Sequence, residues 1–282
     1  MVISDRSNRM IAAFEAALTL NGCRPAAGPL YAGVDLGTAY IVTAVVDAGG
    51  APVAGVLTRS RSSIRDGLVL DYVGAIGILR RQVQSLRSAG FAVEHAAAAY
   101  PPGTIGRNAR AFGNVLEAVG LDVSGLIDEP SAAARVLGIS EGAVVDIGGG
   151  TTGISVIQEG RVVYTADEAT GGIHVDLVLA GHYKMPVEEA EAMKRDPARQ
   201  TEISPLIKPV FQKMASIVRL HLRHHPVQTL YLVGGTSCFP GIESVMREET
   251  GLDVLRPDQP LLVTPLGIAL GCLEGDLPMF QA

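Results

Sequence analysis

Tryptophan is absent from the 282 residues, and the lysines and arginines form no block against a net charge of −6. A nucleic-acid-binding face, which needs clustered cations, therefore has no support. Long apolar runs are missing too: none approaches the ~18 residues of a membrane span. Asp5, Arg6, Arg9 and Glu15 interrupt the first twenty residues, which argues against a signal peptide. Cysteine is scarce, and Cys23, Cys238 and Cys272 are too few and too far apart for a disulfide framework or a zinc site. No Gly-Lys-Ser/Thr occurs, which removes the P-loop class. No G-x-G-x-x-G opens a helix after a first strand with an acid ~20 residues on, which argues against a Rossmann dinucleotide site. The expectation is a soluble, cytoplasmic protein without nucleic-acid or membrane partners.

What is present is apolar residues at 48%, charged residues at only 18%, and 33 glycines with no triplet period. That composition supports a large core and flags backbone used close to a ligand. The length favours two domains or two lobes. Ser4–Leu20 reads as a helix with Ile11, Phe14 and Leu18 on one stripe. Tyr31–Asp47 and Val53–Thr58 read as β-structure, and Tyr72–Ser88 as a helix ended by Gly90. His95–Tyr100 and Leu126–Asp128 read as strands flanking a helix at Asn108–Val119. A second half then restarts: strand-turn-strand over Ala143–Gln158, a strand at Arg161–Thr165, and helices at Ile173–Lys184, Val187–Arg195 and Pro205–Arg223. Thr229–Val233 is a buried strand, followed by helices at Gly241–Glu249 and Thr264–Leu273. The class is α/β with mixed sheets.

The halves repeat one device. Val34-Asp35-Leu36-Gly37-Thr38 and Val145-Asp146-Ile147-Gly148-Gly149 each end an apolar strand in an acid and a small-residue turn, then begin a second strand. Gly37, and Gly148, Gly149 and Gly150 with Thr151, Thr152 and Gly153, let backbone N–H groups approach a phosphate, and Thr38 adds a hydroxyl. Asp35 and Asp146 suit the water shell of Mg²⁺, which dehydrates reluctantly. The plain alternative is a pair of tight β-turns. Glu129, between Asp128 and Pro130 at a helix mouth, is either a base for an attacking water or a helix cap. Gly234, Gly235 and Thr236 end a strand on bare backbone suited to a flat base. Ala132–Ala134 and Gly267/Gly271 give two helices small faces, so that they can cross closely as a hinge. His221, His224 and His225 close a helix; they read as cations against its dipole or as a metal pair. Cys238 reads as a small buried residue near the base site.

These five segments in this order (Asp35–Thr38, Glu129–Gly138, Asp146–Gly153, Leu232–Ser237 and Pro265–Gly271) resemble the actin/Hsp70/sugar-kinase ATPases. The run Arg65-Asp66-Gly67-Leu68-Val69-Leu70-Asp71-Tyr72 is similar to bacterial MreB. With Thr151–Ser155, the short length and the N-terminal helix, the chain most resembles the EutJ family of ethanolamine utilization. The resemblance implies a duplicated ribonuclease-H-like fold around a nucleotide cleft. Its expected parts are a helix and linker at 1–30, lobe I at 31–141 with 262–282, and lobe II at 142–261. It implies ATP/ADP with Mg²⁺, catalytic roles for Asp35, Asp146 and Glu129, and adenosine contacts from Glu191, Lys194 and Arg195. Gly171 and Gly172 are expected to reach the phosphates through their backbone.

The function so implied is an ATP-binding, chaperone-like protein of ethanolamine utilization, cytoplasmic or within a bacterial microcompartment, that closes its lobes on a client enzyme. The alternative is an actin-like scaffold that assembles under nucleotide control or without nucleotide. Expected partners are a client enzyme or shell protein of the microcompartment, and further copies of the chain as a homodimer or filament. The N-terminal helix would dock on a shell, pack on its own domain or pair between copies. Two departures from Hsp70 favour nucleotide binding over fast hydrolysis: no lysine precedes Lys184, leaving Arg59, Arg61 and Arg65, and Gly153 replaces a second acid. The sequence ends about ten residues after the last helix, so chaperone action is expected to use the lobes themselves.

Overall fold

The protein is seen here as a computed structural model that describes residues 2–20, 28–60, 71–104, 107–275 and 277. Cys23, Arg61, Arg65 and most of the MreB-like run lie outside the described residues. Two runs rich in valine, isoleucine and alanine fold back on themselves, and each seeds one five-stranded sheet. The elements before and within the first sheet are α1 (Asp5–Ala17), β1 (Tyr31–Leu36), β2 (Tyr40–Val46), β3 (Pro52–Arg59), α2 (Tyr72–Ser88), β4 (His95–Tyr100), α3 (Arg107–Glu117) and β5 (Asp122–Asp128). After the connecting helix α4 (Glu129–Leu137) come β6 (Gly142–Ile147), β7 (Thr152–Gln158), β8 (Arg161–Glu168), α5 (Gly172–Tyr183), α6 (Val187–Arg195) and α7 (Gln200–Leu222). The chain continues through β9 (Thr229–Val233), α8 (Ile242–Thr250), β10 (Asp253–Leu255) and α9 (Val263–Glu274).

The strand orders are β3-β2-β1-β4-β5 and β10-β9-β6-β7-β8. In each sheet the first three strands in chain order form an antiparallel meander, and two more add in parallel after helical crossovers. One topology thus occurs twice, which is the duplicated actin-like fold.

Strand alternation sets which side chains enter which core. On β1, Ala32, Val34 and Leu36 face α2 and α3, while on β6, Ala143, Val145 and Ile147 face α5, α7 and α8. Gly33 and Asp35, and Val144 and Asp146, therefore point the other way, into the space between the sheets. Helices α4 and α9 fill that space and cross backbone to backbone. A Cβ on Gly267 would lie 1.9 Å from the Ala132 carbonyl oxygen, and one on Gly33 would lie 2.2 Å from the Ala269 nitrogen. Gly271 faces Leu277 rather than α4, so the close crossing rests on Gly267 and the alanines alone.

Helix α1 is capped by Ser4, whose hydroxyl accepts the Ser7 N–H at 3.1 Å, and it ends three residues earlier than the sequence suggests. Its stripe is spent inside the chain. Ile11 and Phe14 are fully buried in the core shared by both sheets. Phe14 lies over Gly55 of β3, where a Cβ would come within 2.4 Å of its ring. The Ser7 hydroxyl donates to the Val136 carbonyl of α4 at 2.9 Å, and Gln259 bonds Glu15 at 2.7 Å. Of the readings for this helix, packing on its own chain is the one the structure displays.

Helix α7 begins at Gln200, five residues before the expected start, with Pro205 and Pro209 inside it. Each proline removes one helical hydrogen bond, and the buried side chains of Ile203 and Ile207 hold the early turns against that loss. Strand β5 starts at Asp122, four residues before the expected start, and a register shift between Ala96 and Ala97 skips Ser124.

Candidate functional site

The ends of β1 and β6 meet across the space between the sheets and open a cleft of about 320 Å³. Fifteen of the residues proposed from sequence line it: Asp35, Gly37, Thr38, Glu129, Asp146, Gly148, Gly149, Gly150, Thr151, Glu191, Lys194, Arg195, Gly234, Gly235 and Thr236. The two turns touch. A Cβ on Gly149 would stand 2.9 Å from that of Ala39, and one on Gly150 would stand 3.0 Å from the Thr38 hydroxyl. The carbonyls of the second turn are held from behind. Gly148 oxygen accepts the Gly172 N–H at 3.0 Å and the Thr236 hydroxyl at 2.7 Å, and Gly149 oxygen accepts the Ile173 N–H at 2.8 Å. The N–H groups of Gly149, Gly150 and Thr151 donate to no protein acceptor among the described residues. A turn with tethered carbonyls and free N–H groups is built to receive an anion.

Thr152, Gly171 and Gly172 do not line the cleft. Thr152 is fully buried and donates to the Thr170 carbonyl at 2.7 Å. Gly171 has no room for a side chain, because three backbone atoms of the 148–150 turn would lie 2.8 Å from its Cβ. The Gly171-Gly172 turn therefore braces the second turn instead of reaching a ligand through its own backbone.

Three acids converge at the floor. Burial first, and Asp146 second, push the Asp35 carboxyl up to about 7. Burial raises Asp146 to about 6 against the opposing hydrogen bond from Thr264, whose hydroxyl donates to Oδ2 at 2.9 Å. Glu129 is raised well above the usual carboxylate range by burial and then by Asp146, Asp35, Asp167 and Asp128. Asp128 caps α4 by accepting the Ser131 N–H at 3.0 Å, which leaves Glu129 free of the capping role and facing the cleft. No lysine or arginine counts among the influences on the three acids. Among the described residues no three acids stand close enough to ligate a metal directly. A buried cluster of carboxylates without a counter-charge fits a hydrated divalent cation held through its waters.

At the far end, the three charges of α6 that line the cleft are committed within the protein. Glu191 pairs with Arg59 of β3 across the cleft mouth. Lys194 lies 2.7 Å from Asp176 and donates to the Gly172 carbonyl at 3.0 Å, and burial lowers its pKa and raises that of Asp176. Arg195 donates to the Tyr40 hydroxyl at 3.3 Å. Sequence reasoning missed Thr264 and Tyr40. A Thr-Pro pair opening the last helix was the available sign for Thr264; Tyr40 had none. Gly234, with φ +86°, sits against Asp146: a Cβ there would come within 2.2 Å of its carboxylate. Cys238 lines the cleft. Both ring nitrogens of His221 are occupied, by Tyr164 at 2.6 Å and Glu168 at 2.7 Å, which removes the metal-pair reading for the histidines at the end of α7.

Gly153 is not an empty seat for a second acid. Pro102 stands 3.1 Å from where its Cβ would be. Gly153→Asp is expected to lower stability by about 1–3 kcal/mol through overpacking, with no gain in phosphate release. A thermal melt beside a phosphate-release assay checks it, and a faster, equally stable variant would overturn it.

The architecture matches known proteins. A family model for the type IV pilus assembly protein PilM matches residues 137–259, and one for the MreB/Mbl protein matches residues 58–194. The ethanolamine utilization protein EutJ of Salmonella typhimurium is 46% identical over 243 residues, covering 86% of this chain and 85% of that protein. The crystal structure of the ethanolamine utilization protein EutJ from Carboxydothermus hydrogenoformans superposes with a TM-score of 0.87 at 47% identity, covering 94% of this chain and 97% of that one. MreB5 of Spiroplasma citri bound to AMPPNP superposes with a TM-score of 0.71 at 17% identity, covering 87% of this chain and 96% of that one, a likeness of fold.

Proposed function

The chain belongs to the EutJ family of ethanolamine utilization proteins, and from that premise we propose that it binds Mg-ATP and Mg-ADP in the cleft and acts as a chaperone-like accessory on a client enzyme. The observation that carries the reading is the pair of facing turns with free N–H groups beside three uncompensated acids. In it, residues 37–39 and 149–151 cradle phosphates. Asp35 and Asp146 hold the hydrated cation, and Glu129 orients water. The cation supplies charge neutralisation for the phosphates when it is bound.

Turnover in this reading is slow. Arg59 is engaged by Glu191, no lysine precedes Lys184, and positioning plus electrostatics account for most of phosphoryl-transfer catalysis. Lobe I (31–141 with 262–282) and lobe II (142–261) pivot about the α4–α9 crossing, which carries nucleotide state to a client surface on the lobes. The setting is the cytoplasm or a microcompartment within it. Among the described residues no helix is long and apolar enough to cross a membrane.

Calorimetric titration with ATP and ADP, with and without Mg²⁺, tests the reading. Micromolar, Mg-dependent binding is expected, reduced by two orders of magnitude or more in the double variant Asp35→Ala/Asp146→Ala. Equal affinity in that variant would show that the site is misplaced.

A further inference from the structure

Purine nucleotides are told apart by hydrogen bonds to the edge of the base, and a site rejects the wrong base strongly only when it holds donors or acceptors fixed for the right one. The side chains at the end of the cleft away from the two turns supply few such groups. Its walls are Phe211, Phe239 and Leu261. Its polar side chains are already spoken for: Glu191 by Arg59, Lys194 by Asp176, Arg195 by Tyr40, and Thr236 by the Gly148 carbonyl. The Cys238 thiol is held by the backbone at Leu261. The Gly234 N–H goes to the Pro260 carbonyl at 3.0 Å, which leaves the Gly235 and Thr236 N–H groups as backbone donors at that end, and N7, carried by both purines, can accept from either.

One polar side chain lining that end has no partner among the described residues: Gln200, half-buried in the first turn of α7. A primary amide carries both a donor and an acceptor and turns over to present either. It can give to guanine O6 or accept from adenine N6–H₂ with equal ease. Apolar walls discriminate between ligands of similar shape by only ~10–200-fold.

We propose that the cleft takes ATP and GTP with comparable affinity, Gln200 being the adaptable contact to the base. This rests on the reading of the cleft as a nucleotide site. The test is calorimetric titration of the full chain with Mg-ATP and, separately, Mg-GTP. Dissociation constants within about thirtyfold of each other are expected, and a wider gap in either direction overturns the proposal while leaving the nucleotide site standing. Silence with both nucleotides overturns the site itself and this inference with it. Gln200→Glu supplies the second arm. A carboxylate accepts only, so at this position it keeps the contact to adenine N6–H₂ and sets an acceptor against guanine O6. The ratio of GTP to ATP affinity is expected to move toward ATP by about tenfold or more, in protein whose melting temperature is unchanged. An unmoved ratio removes Gln200 from the site.

Discussion

Replacing Asp35 by asparagine is expected to stabilise the ligand-free protein at pH 8 and to abolish its Mg-dependent affinity for nucleotide. The sign follows from linkage. Asp35 is raised from the ordinary carboxylate range to about 7 and Asp146 to about 6, so the folded state binds protons that the unfolded chain has released. The stability contributed by protonation is fully present below about pH 4 and is lost as pH rises through 6 and 7. For Asp35 the shift is worth on the order of 4 kcal/mol at pH 8. Asparagine has the shape of the protonated acid without its titration. The melting temperature at pH 8 should therefore rise by roughly 5–10 °C, while wild type and variant converge near pH 4. Asp146→Asn should act in the same direction and less, since the Thr264 hydroxyl donates to the charged form at 2.9 Å. Divalent cation alone should raise the wild-type melting temperature at pH 8 and leave it unchanged at pH 5. A wild type that is most stable at pH 8 without ligand would contradict this account. The gain in stability and the loss of binding have one cause: charge concentrated for a cation that the fold alone does not supply.

Gly267→Ala is expected to cost at least about 3 kcal/mol, at the upper end of what overpacking does. Its Cβ would lie 1.9 Å from the Ala132 carbonyl oxygen and 2.5 Å from the Ala132 carbonyl carbon. Both belong to the backbone of α4, so no rotamer change relieves the contact. Gly33→Ala should behave alike, pressing on the Ala269 nitrogen and the Pro265 oxygen at 2.2 and 2.4 Å. Gly271→Ala is the control. Its Cβ would meet a methyl of Leu277 at 2.8 Å, the flexible end of a side chain, and the expected cost is within about 1 kcal/mol. Urea unfolding of the three variants checks the order. Equal stability of Gly267→Ala and Gly271→Ala would mean that α4 and α9 do not cross where these distances place them.

Local pattern carried much of the fold. The bounds expected for α2, β4, α6 and β9 are those observed, because each is a periodic run closed by a glycine, a proline or a polar turn. The early start of α7 was illegible, because a proline reads as a helix start when nothing says which residues lie beneath it. Strand β10 has three residues, too few to establish a period. In the cleft, acids and glycines at strand ends were legible because backbone chemistry demands them there. The commitments of Glu191, Lys194 and Arg195 were not. Arg59 and Glu191 stand 132 positions apart, and only the apposition of the two sheets brings them together. Likewise Gly153 reads as a lost acid in sequence and as a neighbour of Pro102 in space.

The helix resting on the first strand leaves the ribosome only after the whole second sheet. Helix α9 (Val263–Glu274) packs on β1 (Tyr31–Leu36) and on β2 and β4, so the inner face of the first sheet is covered only after the second sheet has been made. Helix α1, made before either sheet, must hold Ile11 and Phe14 in reserve for a core shared with strands of the second sheet. Vectorial synthesis therefore cannot finish the first half before the second. Contacts spanning more than two hundred residues make the last step of folding a closure of distant segments, slow by topology.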